Sequence, residues 1–318
     1  MRSFKHREAV LSDHRYGKYP GSRSIEELIK RGIVVIDKPK GPTSHQVTAW
    51  IKEILGIDKA GHTGTLDPKV TGVLVVALQK STKTMPALKG LDKEYIALML
   101  LHDDVGDEEL LETVKKFRGR IKQVPPKKSA VKRRERTREI KKLELLERDG
   151  KKVLMKIKCE AGTYIRKLIH DMGEELGCGA HMKELRRTAV GPFEETEAVK
   201  LQTLKDNYIF SREDKNRDIR KNILPVEVVA DISKCIIIKD TAIEAVCNGA
   251  ELGTGGVSSV EEGIKKDDVV LLLSGKGELV AIGKARMDTK DIYTKNEGRA
   301  VTLINVIMER GTYPKAWK

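Results

Sequence analysis

The run Gly32-Ile33-Val34-Val35-Ile36-Asp37 reads as a buried strand that stops at Lys38-Pro39. Thr43 or Ser44 then supplies a helix N-cap. Val47, Ile51, Ile54 and Leu55 recur at helical spacing and Gly56 closes the C-terminus, which predicts a helix packing one face on a sheet. The apolar runs 73–78 and 93–101 predict two further strands. Over 152–159, Val153, Met155, Ile157 and Cys159 fall on one side and Lys152, Lys156 and Lys158 largely on the other, the pattern of a half-exposed strand with a cationic face. Thr163 opens a helix whose buried stripe is Ile165, Leu168, Ile169, Met172 and Leu176, ended by Gly177. Strands and helices mix without the regular alternation of a doubly wound fold, so the class expected is mixed α/β (α+β).

The polar stretch 206–222 reads as a linker or surface excursion. Beyond it, 235–238, 249–256, 269–273, the turn 274–277, 279–282 and 301–306 predict a small β-rich domain with a hairpin. The expected organisation is an N-terminal extension over 1–24, a catalytic domain over 25–228 and a second domain over 229–310.

Sixty-one basic against forty-seven acidic residues leave a net charge of +14. Half of that excess sits in one segment, 127–142, where nine Lys or Arg meet two Glu. A polyanion such as nucleic acid suits this concentration better than a small neutral substrate, although a solvated charged helix is the common alternative. Aromatic residues make up only 4% of the chain, which argues against extensive stacking on single strands and for phosphate contacts with strong salt dependence. No apolar run reaches membrane-spanning length and the basic N-terminus leads into polar residues, so a soluble, intracellular, cytoplasmic protein with no membrane partner is expected. Cys159, Cys178, Cys235 and Cys247 form no Cys-x-x-Cys pair, and the seven His show no metal-ligand spacing.

The chemistry-bearing feature is Gly61-His62-Thr63-Gly64-Thr65-Leu66-Asp67-Pro68, just before an apolar strand. Pro68 biases Asp67 away from the helical region, and the glycines permit backbone angles closed to other residues. Such a loop can hold a carboxylate rigidly, though ordinary turn chemistry accounts for these eight residues equally well. A nucleotide triphosphate loop is excluded, since no Gly-Lys-Ser or Gly-Lys-Thr follows. Arg166 falls in the first turn of its helix, where the dipole disfavours a cation. It calls for an anion, either a buried carboxylate such as Asp67 held bidentately or a substrate phosphate.

These motifs occur together in one known family. The segments 36–45, 61–68, Lys93-Glu94-Tyr95 and 159–166, followed by Leu176-Gly177, Ala180-His181 and Glu184-Leu185-Arg186-Arg187, resemble the TruB family of pseudouridine synthases over roughly 13–225. The tail from about 229 to 307 resembles a PUA RNA-binding domain. Lys69-Val70-Thr71-Gly72, Leu101-His102-Asp103-Asp104 and the segment 123–133 are similar to the archaeal, dyskerin-like branch, which forms the catalytic subunit of box H/ACA ribonucleoproteins.

The resemblance implies an isomerase that converts uridine in RNA to pseudouridine without cofactor or metal. It assigns Asp67 as the essential residue, a nucleophile at C1′ or a base at C2′. It also implies that Tyr95 stacks on a flipped uridine and that Arg166 pairs with Asp67. Leu185 and Lys38 would line or support the pocket, and His62 would help fill the space the base vacates. Lys127, Lys128, Lys132, Arg133 and Arg134 are the expected RNA contacts. The partners implied are an H/ACA guide RNA, tRNA and rRNA substrates, and small companion proteins. A stand-alone tRNA enzyme and a non-catalytic assembly factor are the alternatives.

Overall fold

The computed structural model describes residues 2–10, 12–124, 134–213 and 218–315. In chain order the first elements are β1 (Phe4–His6), α1 (Ile25–Lys30), β2 (Gly32–Lys38), α2 (Ser44–Leu55), β3 (Ala60–His62), β4 (Thr71–Leu78), α3 (Met85–Leu88), β5 (Lys93–Leu101), α4 (Asp107–Lys116) and β6 (Gly119–Gln123). Next come β7 (Arg136–Asp149), β8 (Lys152–Cys159), α5 (Ile165–Glu175), β9 (Ala180–Val190), β10 (Phe193–Glu194), α6 (Leu201–Glu213), α7 (Ile219–Asn222) and β11 (Leu224–Pro225). The chain ends with β12 (Lys234–Ile238), α8 (Asp240–Cys247), β13 (Leu252–Gly253), β14 (Val257–Glu261), β15 (Val269–Leu273), β16 (Leu279–Ala285), α9 (Thr289–Thr294) and β17 (Arg299–Val306).

Among the described residues two sheets organise these elements. The larger runs β11-β2-β4-β9-β5-β8-β7-β6, with β3 paired to β4 and β10 to β9. All its pairs are antiparallel except β4 with β9. Strand β4, flanked on both sides and covered on both faces, explains the unbroken apolar run at 73–78. Leu74, Val76 and Leu78 face α2 and α6, whereas Val73, Val75 and Ala77 face a core shared with the second sheet. Each large side chain fully buried there contributes about 1.5–3 kcal/mol. Thr43 caps α2 in a reciprocal capping box with Gln46, and Gly56 ends the helix in the left-handed conformation.

The second sheet runs β1-β14-β12-β15-β16-β17-β13. Its edge is the N-terminal strand β1, so residues expected to be an extension complete the C-terminal sheet instead. Buried Arg23 clamps Glu227 through two 2.6 Å bonds, and Glu227 also accepts from the Leu279 N–H at 2.9 Å, which ties the two sheets together. Over its described residues the stretch 206–222, expected to be a linker or surface excursion, is helical and not a linker. Residues up to Glu213 complete α6, and Ile219 of α7 is fully buried beside Leu204 because apolar anchors interrupt the charged sequence. Among the described residues no helix is long and apolar enough to cross a membrane.

Candidate active site

Asp67 lies on the connection from β3 to β4, and nearly every residue around it is pinned. Thr63 N–H donates to the Val75 carbonyl at 3.1 Å, Val70 N–H to Asp67 at 3.0 Å, and Gly41 N–H to Pro68 at 2.8 Å. The Lys38 amine, fully buried at the end of β2, donates to the carbonyls of Pro39 at 2.9 Å, Pro42 at 2.8 Å and Pro68 at 3.3 Å. Burial pulls the Lys38 pKa down, and the nearby Asp67 charge partly offsets this. With no exposed surface, Lys38 supports the loop from beneath and does not form a wall of the pocket.

The Asp67 carboxylate faces the Arg166 guanidinium through a hydrogen bond from Nη2 to Oδ2. A buried, two-point clamp was one expectation from the sequence. The pair is instead open, with the side chains 55% and 59% exposed, so it adds little to stability. Arg166 stands in the first turn of α5, as its spacing predicted. The preceding Tyr164 is held by Gln123, which accepts from its N–H at 3.0 Å and donates to its carbonyl at 3.2 Å. Gln123 ends β6, and the basic segment departs immediately after it.

Tyr95 on β5 forms the floor. Only 8% of it is exposed, and burial raises its pKa, which the nearby Arg187 charge partly offsets. Leu185 lies two residues before Arg187 on β9, opposite Ala97, and packs half-buried on the core that holds Leu66, Tyr95 and Ile165. His62 meets His45 edge-on with ring centroids 4.9 Å apart, and both its ring nitrogens are buried without a hydrogen-bond partner among the described residues. Burial first, then the His45 and Arg187 charges, lower its pKa, so the ring is neutral near pH 7.

The structure therefore gathers Lys38, His62, Asp67, Tyr95, Arg166 and Leu185 around one loop. Of the expected RNA contacts, Lys127, Lys128, Lys132 and Arg133 lie outside the described residues, and Arg134 is exposed at the approach to β7. Among the described residues no cluster of three or more His, Cys, Asp or Glu is arranged to hold a metal ion. Sequence reasoning passed over Arg187 and Lys93, both buried beside the loop. Two adjacent arginines on a strand must point to opposite faces, which was the available signal that one of the pair enters the interior.

Comparison with known proteins follows this architecture. Residues 52–165 match the N-terminal domain of the TruB family of pseudouridylate synthases, and 166–230 match the C-terminal domain of tRNA pseudouridylate synthase B. Residues 234–307 match the PUA domain and 1–48 the DKCLD domain. A probable tRNA pseudouridine synthase B of Methanocaldococcus jannaschii is 52% identical over 98% of this chain and 93% of its own length. One of Archaeoglobus fulgidus is 48% identical over 100% and 98%. An H/ACA RNP bound to a substrate RNA containing 2′-deoxyuridine holds a chain similar at a TM-score of 0.93, with 44% identity over 100% of this chain and 98% of that one. A Cbf5-Nop10-Gar1 complex holds another at 0.94, with 46% identity over 99% and 97%.

Proposed function

Because the chain belongs to the TruB family of pseudouridine synthases, isomerases acting on uridines in RNA, we propose that it is the catalytic subunit of a cytoplasmic H/ACA guide particle with Asp67 as its reacting group. The observation that carries this reading is a carboxylate projected into the open by a loop pinned on both sides of it, facing Arg166 above the Tyr95 floor.

The reaction breaks the N1 to C1′ bond, turns the base and forms a C5 to C1′ bond. N1 gains a proton and C5 loses one, so neither an oxidant nor an external energy source is consumed. Asp67 acts either as nucleophile at C1′ or as base at C2′. The exposure of the Asp67 and Arg166 pair leaves room for a flipped nucleotide, whose extrusion costs a few kcal/mol. Tyr95 offers its ring to the base, Arg166 orients the carboxylate, and Leu185 supplies an apolar wall. Neutral His62, whose ring nitrogens are buried without a hydrogen-bond partner among the described residues, occupies the gap the base leaves. The basic residues 127–134 hold the RNA backbone and the PUA domain grips the guide RNA. Companion proteins such as Nop10 and Gar1, present in the similar assemblies, complete the particle. The names of the archaeal relatives specify tRNA, which favours a second reading in which the chain acts on tRNA; we take this as guide-free action on the T-loop uridine.

Tritium release from RNA labelled at uridine C5 tests both. Wild type should release tritium from a guide-directed target with companion proteins, and Asp67→Asn should not. Release from a tRNA transcript alone would establish the guide-free activity. Full release by Asp67→Asn would remove Asp67 from its role, and no release from either RNA would leave an assembly factor.

A further inference from the structure

Arg187 is 1% exposed, yet none of the carboxylates among the described residues pairs with it. Its Nε donates to the Val73 carbonyl at 2.7 Å and its Nη2 donates to the Gly64 carbonyl at 3.1 Å, and the Tyr95 side chain lies near enough to feel its charge. A buried cation balanced only by neutral oxygens is costly, and an apolar side chain of similar volume would pack this position at lower cost. A plain structural staple therefore explains the residue poorly. The two acceptors lie on two different elements, β4 and the Asp67 loop. A planar guanidinium holds its donors in fixed directions toward both, whereas a lysine amine on a flexible stem is a rotating point donor.

The main chain at this point is equally constrained. Gly72 of β4 pairs with Arg187 of β9 so closely that a Cβ on Gly72 would stand 2.1 Å from the Arg187 carbonyl oxygen, and its φ of +100° also requires glycine. The guanidinium is thus anchored from behind while its donors reach forward. We propose that Arg187 is a positioning residue for the isomerisation, holding the Gly64 turn that presents Asp67 in fixed register with β4 and with the neighbouring Tyr95. This rests on the reading of Asp67 as the reacting carboxylate.

The test is single-turnover tritium release with saturating RNA, for Arg187→Lys, Tyr95→Phe, the double variant and Asp67→Asn, alongside RNA affinity and circular dichroism. A misplacement of about 1 Å costs about 100-fold, so Arg187→Lys should lose rate on that order while RNA affinity stays within about twofold. The double variant should be no slower than the slower single, because both break one constellation. The introduced amine titrates where a guanidinium does not, so Arg187→Lys should also acquire a decline in rate toward high pH that wild type lacks. Rate losses that multiply in the double variant, or that merely follow RNA affinity, would overturn the proposal. Should Arg187→Lys not fold, Arg187→Met takes its place, and failure of both to fold would assign Arg187 to stability alone. Full activity of Asp67→Asn would instead sink the underlying assignment of the site.

Discussion

Ser44 and Leu66 exchange two hydrogen bonds: the Ser44 hydroxyl donates to the Leu66 carbonyl at 3.1 Å and accepts from the Leu66 N–H at 2.8 Å. Ser44 is fully buried in the first turn of α2, so one side chain ties the start of that helix to the residue before Asp67. Removing it leaves two buried backbone groups of Leu66 without partners.

Ser44→Ala should therefore lower stability by about 1–3 kcal/mol. Loosening the residue next to Asp67 should also slow single-turnover isomerisation while RNA affinity is kept. Denaturant unfolding and tritium release check the two effects separately. A rate equal to wild type in the folded variant would show that the loop is held adequately by its other bonds.

Glu309, just past β17, lies between Lys30 of α1 at 2.7 Å and Lys80 at 2.6 Å, and these two amines hold its carboxyl down at about 2. In the unfolded chain the proton leaves near the ordinary glutamate value of 4.5. Between these values the unfolded state binds more protons, so the contribution is whole above 4.5 and is lost as pH falls toward 2. The side chain is 42% exposed, which screens the pair and keeps the effect below about 1 kcal/mol. Unfolding of wild type and Glu309→Gln at low salt should show a gap at pH 6 that narrows steadily from pH 5 to pH 3. A gap that does not change over that range would mean that the bonds, and not the charge, matter.

How much was legible depended on whether periodicity survived folding. β5, β8, α2 and α5 were readable because each buries a regular stripe, and β4 because burial on both faces leaves an unbroken apolar run. β7 was not, since register shifts between Ile140 and Lys142 and between Leu145 and Glu147 break its alternation, and charges cover both faces. β14 reads Val-Ser-Ser-Val-Glu and looks like a loop, yet all five residues are buried because β1 covers its edge and Glu261 accepts from the Cys235 N–H at 2.9 Å. In the site, the carboxylate and its arginine were visible as motif residues. The buried Arg187 fork was not, because its partners are backbone carbonyls that leave no mark in composition.

The basic segment yields a prediction that needs no contact geometry. Each phosphate neutralised on a single strand contributes about −0.7 to the slope of log affinity against log salt, and about −0.9 on B-form duplex. Replacing Lys127, Lys128, Lys132, Arg133 and Arg134 together with Gln should make the slope shallower by roughly 3.5 to 4.5 if all five touch phosphates. Filter binding across a salt series reads this directly. An unchanged slope would place the RNA backbone elsewhere and return the segment to the role of a solvated charged face.

The N-terminal residues carry the last prediction, since their weight in the C-terminal sheet exceeds what a three-residue strand suggests. Beyond the pairing of β1 with β14, Arg2 reaches Glu261 at 3.3 Å and the Arg7 N–H donates to the Ser258 carbonyl at 2.8 Å. The Asp13 N–H donates to Asp240 at 2.8 Å, and the Lys276 amine donates to the Asp13 carbonyl at 2.9 Å. Tyr16 also lies against Tyr313 with ring centroids 6.3 Å apart. Deleting residues 1–16 would strip β14 of its neighbour and present an open strand edge to other chains. The truncated protein should unfold its C-terminal sheet at lower temperature than the catalytic sheet and should associate with itself as concentration rises. Hydrogen exchange resolved by segment, with light scattering on the same samples, tests this. Protection of 257–261 equal to that in the full chain would show that β14 holds through β12 alone and that β1 is only a cover.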